Sequence, residues 1–183
     1  MMKEQATPAP VVRLALVAVL AAVTALFTYA VRIPVAPTRG YINLGDVAIY
    51  FSAFTFGPIT AFVAGGVGTA IADLFSGYSQ WAPISLVVHG LQGLVAGLIA
   101  VTWASGEKSN LGQISLRWIL AALAGTIIMC GGYLSAQIFM VGIGAALVEL
   151  PGNVLQSVVG ALGGIPLTLA VRKAYPPVRN LRW

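Results

Sequence analysis

Charge is what this sequence has least of. Ten basic and five acidic residues leave only 8% of the 183 positions charged, against about 25% in a soluble globular domain. So few charges do not cover a soluble surface. With 58% of the residues apolar, the chain is read as an integral membrane protein whose solvent is mostly lipid. A soluble enzyme, a secreted soluble domain and a disordered chain are excluded. The lone cysteine, Cys130, excludes a disulfide framework. One histidine, His89, with dispersed carboxylates makes a poor transition-metal site. There is no G-x-x-x-x-G-K-[ST] stretch, so the chain should not hydrolyse ATP by itself, and no H-E-x-x-H or G-x-S-x-G supplies hydrolytic chemistry. None of these patterns requires a cofactor. The net charge of +5 comes from bases that flank apolar runs, which reads as topology rather than a nucleic-acid footprint.

What is there is apolar runs of spanning length. Backbone groups in lipid must be satisfied within the segment, so these runs are expected to be helices. Helix 1 is expected at about 11–31, closed by Pro34 and Pro37; its N-terminal flank resembles a signal peptide but is read as retained. The stretch 46–75 would be about 45 Å long as one helix, more than a bilayer core. Gly57-Pro58 divides it into a hairpin of helices at about 45–57 and 59–75. Helix 4 is expected at about 82–104, followed by a polar loop, 105–115. Breaks near Gly142–Gly144 and Pro151-Gly152 set helix 5 at about 116–139 and helix 6 at about 150–172. The expected fold class is therefore an all-α bundle of six transmembrane helices forming one domain, 1–183. With six crossings, Lys3, Arg13, Lys108, Arg117, Arg172, Lys173, Arg179 and Arg182 share one side. The positive-inside rule makes that side, with both termini, cytoplasmic.

The strongly polar residues then collect in the outer half. Tyr41, Asn43 and Asp46 are placed at the start of helix 2, and Asp73 at the end of helix 3 with Tyr78 and Trp81 beyond it. His89 and Gln92 fall in helix 4, Tyr133 and Gln137 in helix 5, and Glu149, Asn153 and Gln156 at the start of helix 6; Arg39 lies in the first outer loop. His89/Gln92 and Asn153/Gln156 are i,i+3 pairs and Tyr133/Gln137 is i,i+4, so each pair shares a helix face. Polar groups inside a membrane are expensive and point to function. A few of them in an apolar frame suit a pocket for a small polar molecule. Local roles also fit each residue singly: Asn153 and Gln156 as interhelical glue, Asp46 as a helix cap, Asp73 as a partner of Arg32 or Arg39, Tyr78 and Trp81 as an interfacial belt. Ala15, Ala18, Ala22 and Ala25 form a small-residue stripe on helix 1, suited to internal packing or to docking another membrane subunit. Gly65-x-x-Gly68 follows no strand and is read as helix packing rather than a phosphate loop.

Several segments carry a resemblance. They are the alanine stripe, GYINLGD (40–46), FGP (56–58), GTAIAD (68–73) leading to GYSQWAP (77–83), PGNVLQ (151–156) and GIP (164–166). In order and spacing the chain resembles an S component, the substrate-binding membrane subunit of an energy-coupling factor (ECF) vitamin transporter. The resemblance implies a six-helix fold that captures a micronutrient near the outer surface. It also implies a first outer loop that acts as a gate, and a site lined by helices 4–6. It further implies partnership with a transmembrane coupling subunit and two ATPase subunits, which make the S component topple and release its cargo inside. The face toward the coupling subunit would be Ala15, Ala18, Ala22 and Ala25. Acids outnumber bases in the outer half, which favours a neutral or cationic heterocycle such as pyridoxine, hydroxymethyl-pyrimidine or a deazaguanine precursor of queuosine. The alternatives are an accessory membrane subunit without cargo and an intramembrane enzyme based on His89.

Overall fold

A computed structural model describes residues 10–102 and 116–182. The chain folds as α1 (Pro10–Ala30), β1 (Arg32–Val35), β2 (Gly40–Asn43), α2 (Gly45–Phe56), α3 (Pro58–Phe75), α4 (Ala82–Thr102), α5 (Leu116–Val141), α6 (Ile143–Ala174) and a short 3-10 helix, Pro176–Leu181. Five of these helices are long and apolar enough to cross a membrane. The sixth, α2, has 12 residues and at about 18 Å falls short of a ~30 Å hydrocarbon core.

α2 is instead the centre of the bundle. It is apolar nearly all round, the composition of a helix buried on every side, and ten of its 12 residues are buried. It touches α1, α3, α4 and α6. Tyr50 stacks on Phe54, and Phe54 on Trp118 with ring centroids 5.2 Å apart. Small residues let the neighbours close in. A Cβ on Gly164 of α6 would lie 2.8 Å from Tyr50 Cβ and 2.9 Å from the Val47 carbonyl oxygen of α2. Phe75, Ile127, Phe139 and Leu162 point outward, as lipid-facing residues should.

The break between α2 and α3 follows from Gly57-Pro58. Gly57 has φ 98°, open to glycine at little cost, and Pro58 suits the first turn of α3. Proline has no N–H, so the Phe54 carbonyl loses its i+4 donor. Arg172 and Arg182 both donate to that carbonyl, Arg182 at 2.7 Å, and Arg172 also lies over the Trp118 ring. Two arginines thus complete the C-terminus of α2, where positive charge also suits the helix dipole.

Three sequence expectations change. The turn between the last two helices is Gly142 alone, with φ 88°. α6 therefore starts at Ile143 rather than about 150, and Pro151 and Pro166 lie inside it. Tolerating them is a property of membrane helices, whose neighbours can satisfy the freed carbonyls. The first outer loop is a β-hairpin, with Arg32 opposite Asn43 and Val35 opposite Gly40. Tyr41 and Asn43 are accordingly on a strand and not at the start of α2. The C-terminal end expected for helix 4 and the 105–115 loop lie outside the described residues.

On α1 the buried face is Val17, Leu20, Ala21, Thr24 and Thr28. Ala15, Ala18 and Ala22 are exposed and Ala25 is half-buried, so the stripe does not serve internal packing. Gly65 and Gly68 do pack helices: a Cβ would lie 3.0 Å from the His89 carbonyl oxygen of α4 and 2.6 Å from the Ala21 carbonyl oxygen of α1, respectively.

Candidate functional site

The β-hairpin is two short strands, which are marginal in isolation. Side-chain bonds tie it to the helix ends. Tyr41 donates its hydroxyl to Asp73 Oδ1 on α3 at 2.6 Å. Thr38, at the hairpin tip, donates to Glu149 Oε2 on α6. Trp81 Nε1 donates to the Arg39 carbonyl at 2.9 Å, and the Asn43 N–H donates to Gln156 Oε1 at 2.7 Å. Burial, reinforced by the Asp73 carboxylate beside it, holds the Tyr41 phenol well above its usual pKa. Tyr41 therefore stays a donor.

Beneath the hairpin lies a cavity lined by Thr28, Gly40, Tyr41, Asn43, Thr69, Asp73, Trp81, Ser85, His89, Met129, Tyr133, Glu149, Asn153 and Gln156. It encloses ≈ 350 Å³ of non-atom space with its mouth included. Its enclosed part has room for little more than ordered water. A ring-sized molecule therefore fits only if the hairpin or the side chains give way. One wall is aromatic: the Tyr133 ring stands edge-on to His89 at 5.4 Å and lies 6.0 Å from Trp81. The Tyr133 hydroxyl bonds Ser85 Oγ at 2.5 Å. Several buried side-chain atoms of the described residues lack a hydrogen-bond partner, and three of them, Thr28 Oγ1, Asp73 Oδ2 and Asn153 Nδ2, belong to residues of the cavity wall. Buried polar atoms are ordinarily paired, so these three are exceptions within the wall.

A second layer supports the wall. Asp46 is fully buried in the first turn of α2. It is not the cap of that helix; Asn43 Oδ1 accepts from the Gly45 N–H at 2.7 Å instead. Asp46 Oδ2 accepts from Gln92 Nε2 at 2.8 Å and Oδ1 from Gln156 Nε2 at 3.1 Å. His89 Nδ1 bonds Gln92 Oε1 at 2.7 Å and lies 3.6 Å from Asp46 Oδ1.

Of the residues singled out in the sequence, Tyr41, Asn43, Asp73, Trp81, His89, Tyr133, Glu149, Asn153 and Gln156 line the cavity. Asp46 and Gln92 lie behind that wall. Gln137 is fully buried but does not share the cavity with Tyr133, despite the i,i+4 spacing. Arg39 contributes its carbonyl while its side chain is exposed. Tyr78 is half-buried against the Tyr41 ring, 4.6 Å between centroids. Trp81 is buried under the hairpin and not part of an interfacial belt. Asp73 pairs with Tyr41 and not with an arginine; Arg32 lies over Tyr29. Sequence reasoning missed Thr28, Thr38, Thr69, Ser85 and Met129. A hydroxyl in a membrane helix can bond its own backbone, as Thr69 does to the Gly65 carbonyl, so its position alone carries little signal.

Two relatives share this architecture's sequence over most of their length. A protein of Pyrococcus woesei, described as an uncharacterized protein in gap 3'region, is 36% identical over 151 residues, 82% of this chain and 95% of that one. The thiamine precursor transporter HmpT of Lactococcus lactis subsp. cremoris is 33% identical over 149 residues, 81% of this chain and 80% of its own. Residues 9–173 match the family described as ECF-type riboflavin transporter, S component. A bundle of membrane helices with a polar cavity at one end is what such a subunit needs, and the chain belongs to the family of ECF-type transporter S components.

Proposed function

We propose that this S component captures a single-ring heterocycle rich in hydrogen-bond donors, with the hydroxymethyl-pyrimidine precursor of thiamine as the leading cargo. The observation that carries the proposal is the trio of unpartnered buried atoms, Thr28 Oγ1, Asp73 Oδ2 and Asn153 Nδ2, on one cavity. The Asp73 and Glu149 carboxylates offer acceptors to an amine or hydroxyl, Asn153 offers an N–H to a ring nitrogen, and Trp81 and Tyr133 offer aromatic faces. One ring needs less opening of the cavity than the three fused rings and sugar-like chain of riboflavin. The thiamine-precursor specificity of HmpT supports the same choice. The acids disfavour a polyanion.

In this reading the β-hairpin end faces outward in the cytoplasmic membrane of a prokaryote, because most basic residues, among them Arg117, Arg172, Lys173, Arg179 and Arg182, lie toward the opposite end while the hairpin carries only Arg32 and Arg39. Release inside follows toppling, driven by a transmembrane coupling subunit and two ATPase subunits; this chain meets the coupling subunit through Ala15, Ala18, Ala22 and Ala25. The chain itself performs no chemistry.

Calorimetry on the purified protein, without ATP, tests the cargo. Hydroxymethyl-pyrimidine is expected to bind and riboflavin to bind at least tenfold more weakly. Asn153→Ala should weaken binding at least tenfold, about 1.4 kcal/mol. Unchanged affinity in both Asn153→Ala and Asp73→Asn sinks the site assignment. Binding by no heterocycle, with a melting temperature lowered by those variants, returns the polar cluster to helix glue.

A further inference from the structure

We infer that Asp46 and Gln92 are positioning residues that hold His89 in its Nδ1–H tautomer, so that Nε2 presents an acceptor to a donor on the cargo. This deepens the reading above and rests on it for the cargo; the tautomer is set by the protein alone.

The polarity of the network can be followed from a donor that has no choice. The Asn43 N–H belongs to the backbone and donates to the side-chain oxygen of Gln156 at 2.7 Å. Gln156 must then turn its amide NH2 to Asp46 Oδ1, 3.1 Å away. Asp46 Oδ2 in turn accepts an N–H from Gln92 at 2.8 Å. That fixes Gln92 with its oxygen toward His89 Nδ1, 2.7 Å away. Two facing lone pairs would repel, so His89 Nδ1 must carry the hydrogen. The proximity of Asp46 Oδ1 to the same nitrogen, 3.6 Å, favours the same choice. Every member of this chain is at most 7% exposed, so water offers little competition for the bonds. With Nδ1 turned inward, Nε2 is the nitrogen left for the cavity that His89 lines. In the neutral ring it is an acceptor.

The chain has one histidine, so ¹⁵N-histidine labelling reports this ring alone. In ligand-free protein in detergent at neutral pH, Nδ1 should show the shift of a protonated nitrogen and Nε2 that of a bare one. Asp46→Asn keeps the shape but offers an N–H where Oδ2 accepted. Its amide oxygen must meet Gln156, its NH2 must meet Gln92, and Gln92 must flip. The tautomer should therefore invert to Nε2–H, a result that loss of packing alone does not produce. Adding hydroxymethyl-pyrimidine to the wild type should shift Nε2 more than Nδ1, and Asp46→Asn should bind it at least tenfold more weakly. A wild-type ring protonated at Nε2, alone or together with Nδ1, overturns the inference, and that measurement does not depend on the variant folding. Binding that leaves Nε2 unmoved also overturns it. Absence of binding by this pyrimidine refutes the cargo proposal, while the ligand-free spectrum still decides the tautomer.

Discussion

The Tyr41 hydroxyl makes one of the side-chain bonds that tie the hairpin to the helix ends, and it is expected to latch the hairpin shut. Tyr41→Phe removes one oxygen and keeps the ring against Tyr78. The lost bond is short, 2.6 Å, and ends on a carboxylate. Hydrogen bonds to charged groups contribute about 1.5–3 kcal/mol net. In the closed state the variant leaves Asp73 with neither oxygen bonded, because Oδ2 already lacks a partner; in the open state water can reach it. The closed-to-open ratio should therefore fall about ten- to hundredfold, at ~1.4 kcal/mol per decade. Hydrogen–deuterium exchange of the segment 32–43 measures this without a ligand, since local opening exposes the strand amides. Exchange there should accelerate by about that factor, while α5 and α6 are unchanged. Unaltered exchange in 32–43 refutes the claim that Tyr41 and Asp73 latch the hairpin. Accelerated exchange throughout the chain refutes it as well, because the bond would then serve global stability.

Two further predictions concern the helices. Arg182→Leu alone should change the melting temperature little, because Arg172 still meets the Phe54 carbonyl; the Arg172→Leu, Arg182→Leu double variant orphans that carbonyl and should cost about 1–3 kcal/mol, read as a lowered thermal midpoint in detergent. Ala18→Leu and Ala22→Leu alter exposed positions, so both should leave thermal stability and cargo binding intact while abolishing co-purification with the coupling subunit; intact assembly in both variants removes the docking role from the stripe.

The membrane class and most helix positions were legible in the sequence because they depend on composition and run length, which lipid reads directly. So was the gathering of polar residues at one end of the bundle, since depth follows from counting along a helix. Pro151 misled because a proline stops a soluble helix more reliably than a membrane helix, whose neighbours can satisfy the freed carbonyl. Spacing groups residues on helix faces but does not say what each face meets. Tyr133 and Gln137 share a face by spacing, yet only Tyr133 reaches the cavity. Asp46 and Gln92 look like pocket residues along the chain, and packing of α2 against α4 and α6 moves them behind the wall. The hydroxyls of Thr38 and Ser85 meet partners distant in sequence, Glu149 and Tyr133.

What the sequence determined, then, was the solvent of the chain, the existence of its helices and the end at which polar groups collect. Each of those is a sum over local residues. Only the tertiary structure decided that a 12-residue helix would sit at the centre and that a hairpin would cover the polar end. It alone decided which polar atoms would be consumed by one another and which left unpaired. Those outcomes depend on pairings between residues more than a hundred positions apart, such as Thr38 with Glu149 and Asn43 with Gln156, and local periodicity contains no information about them.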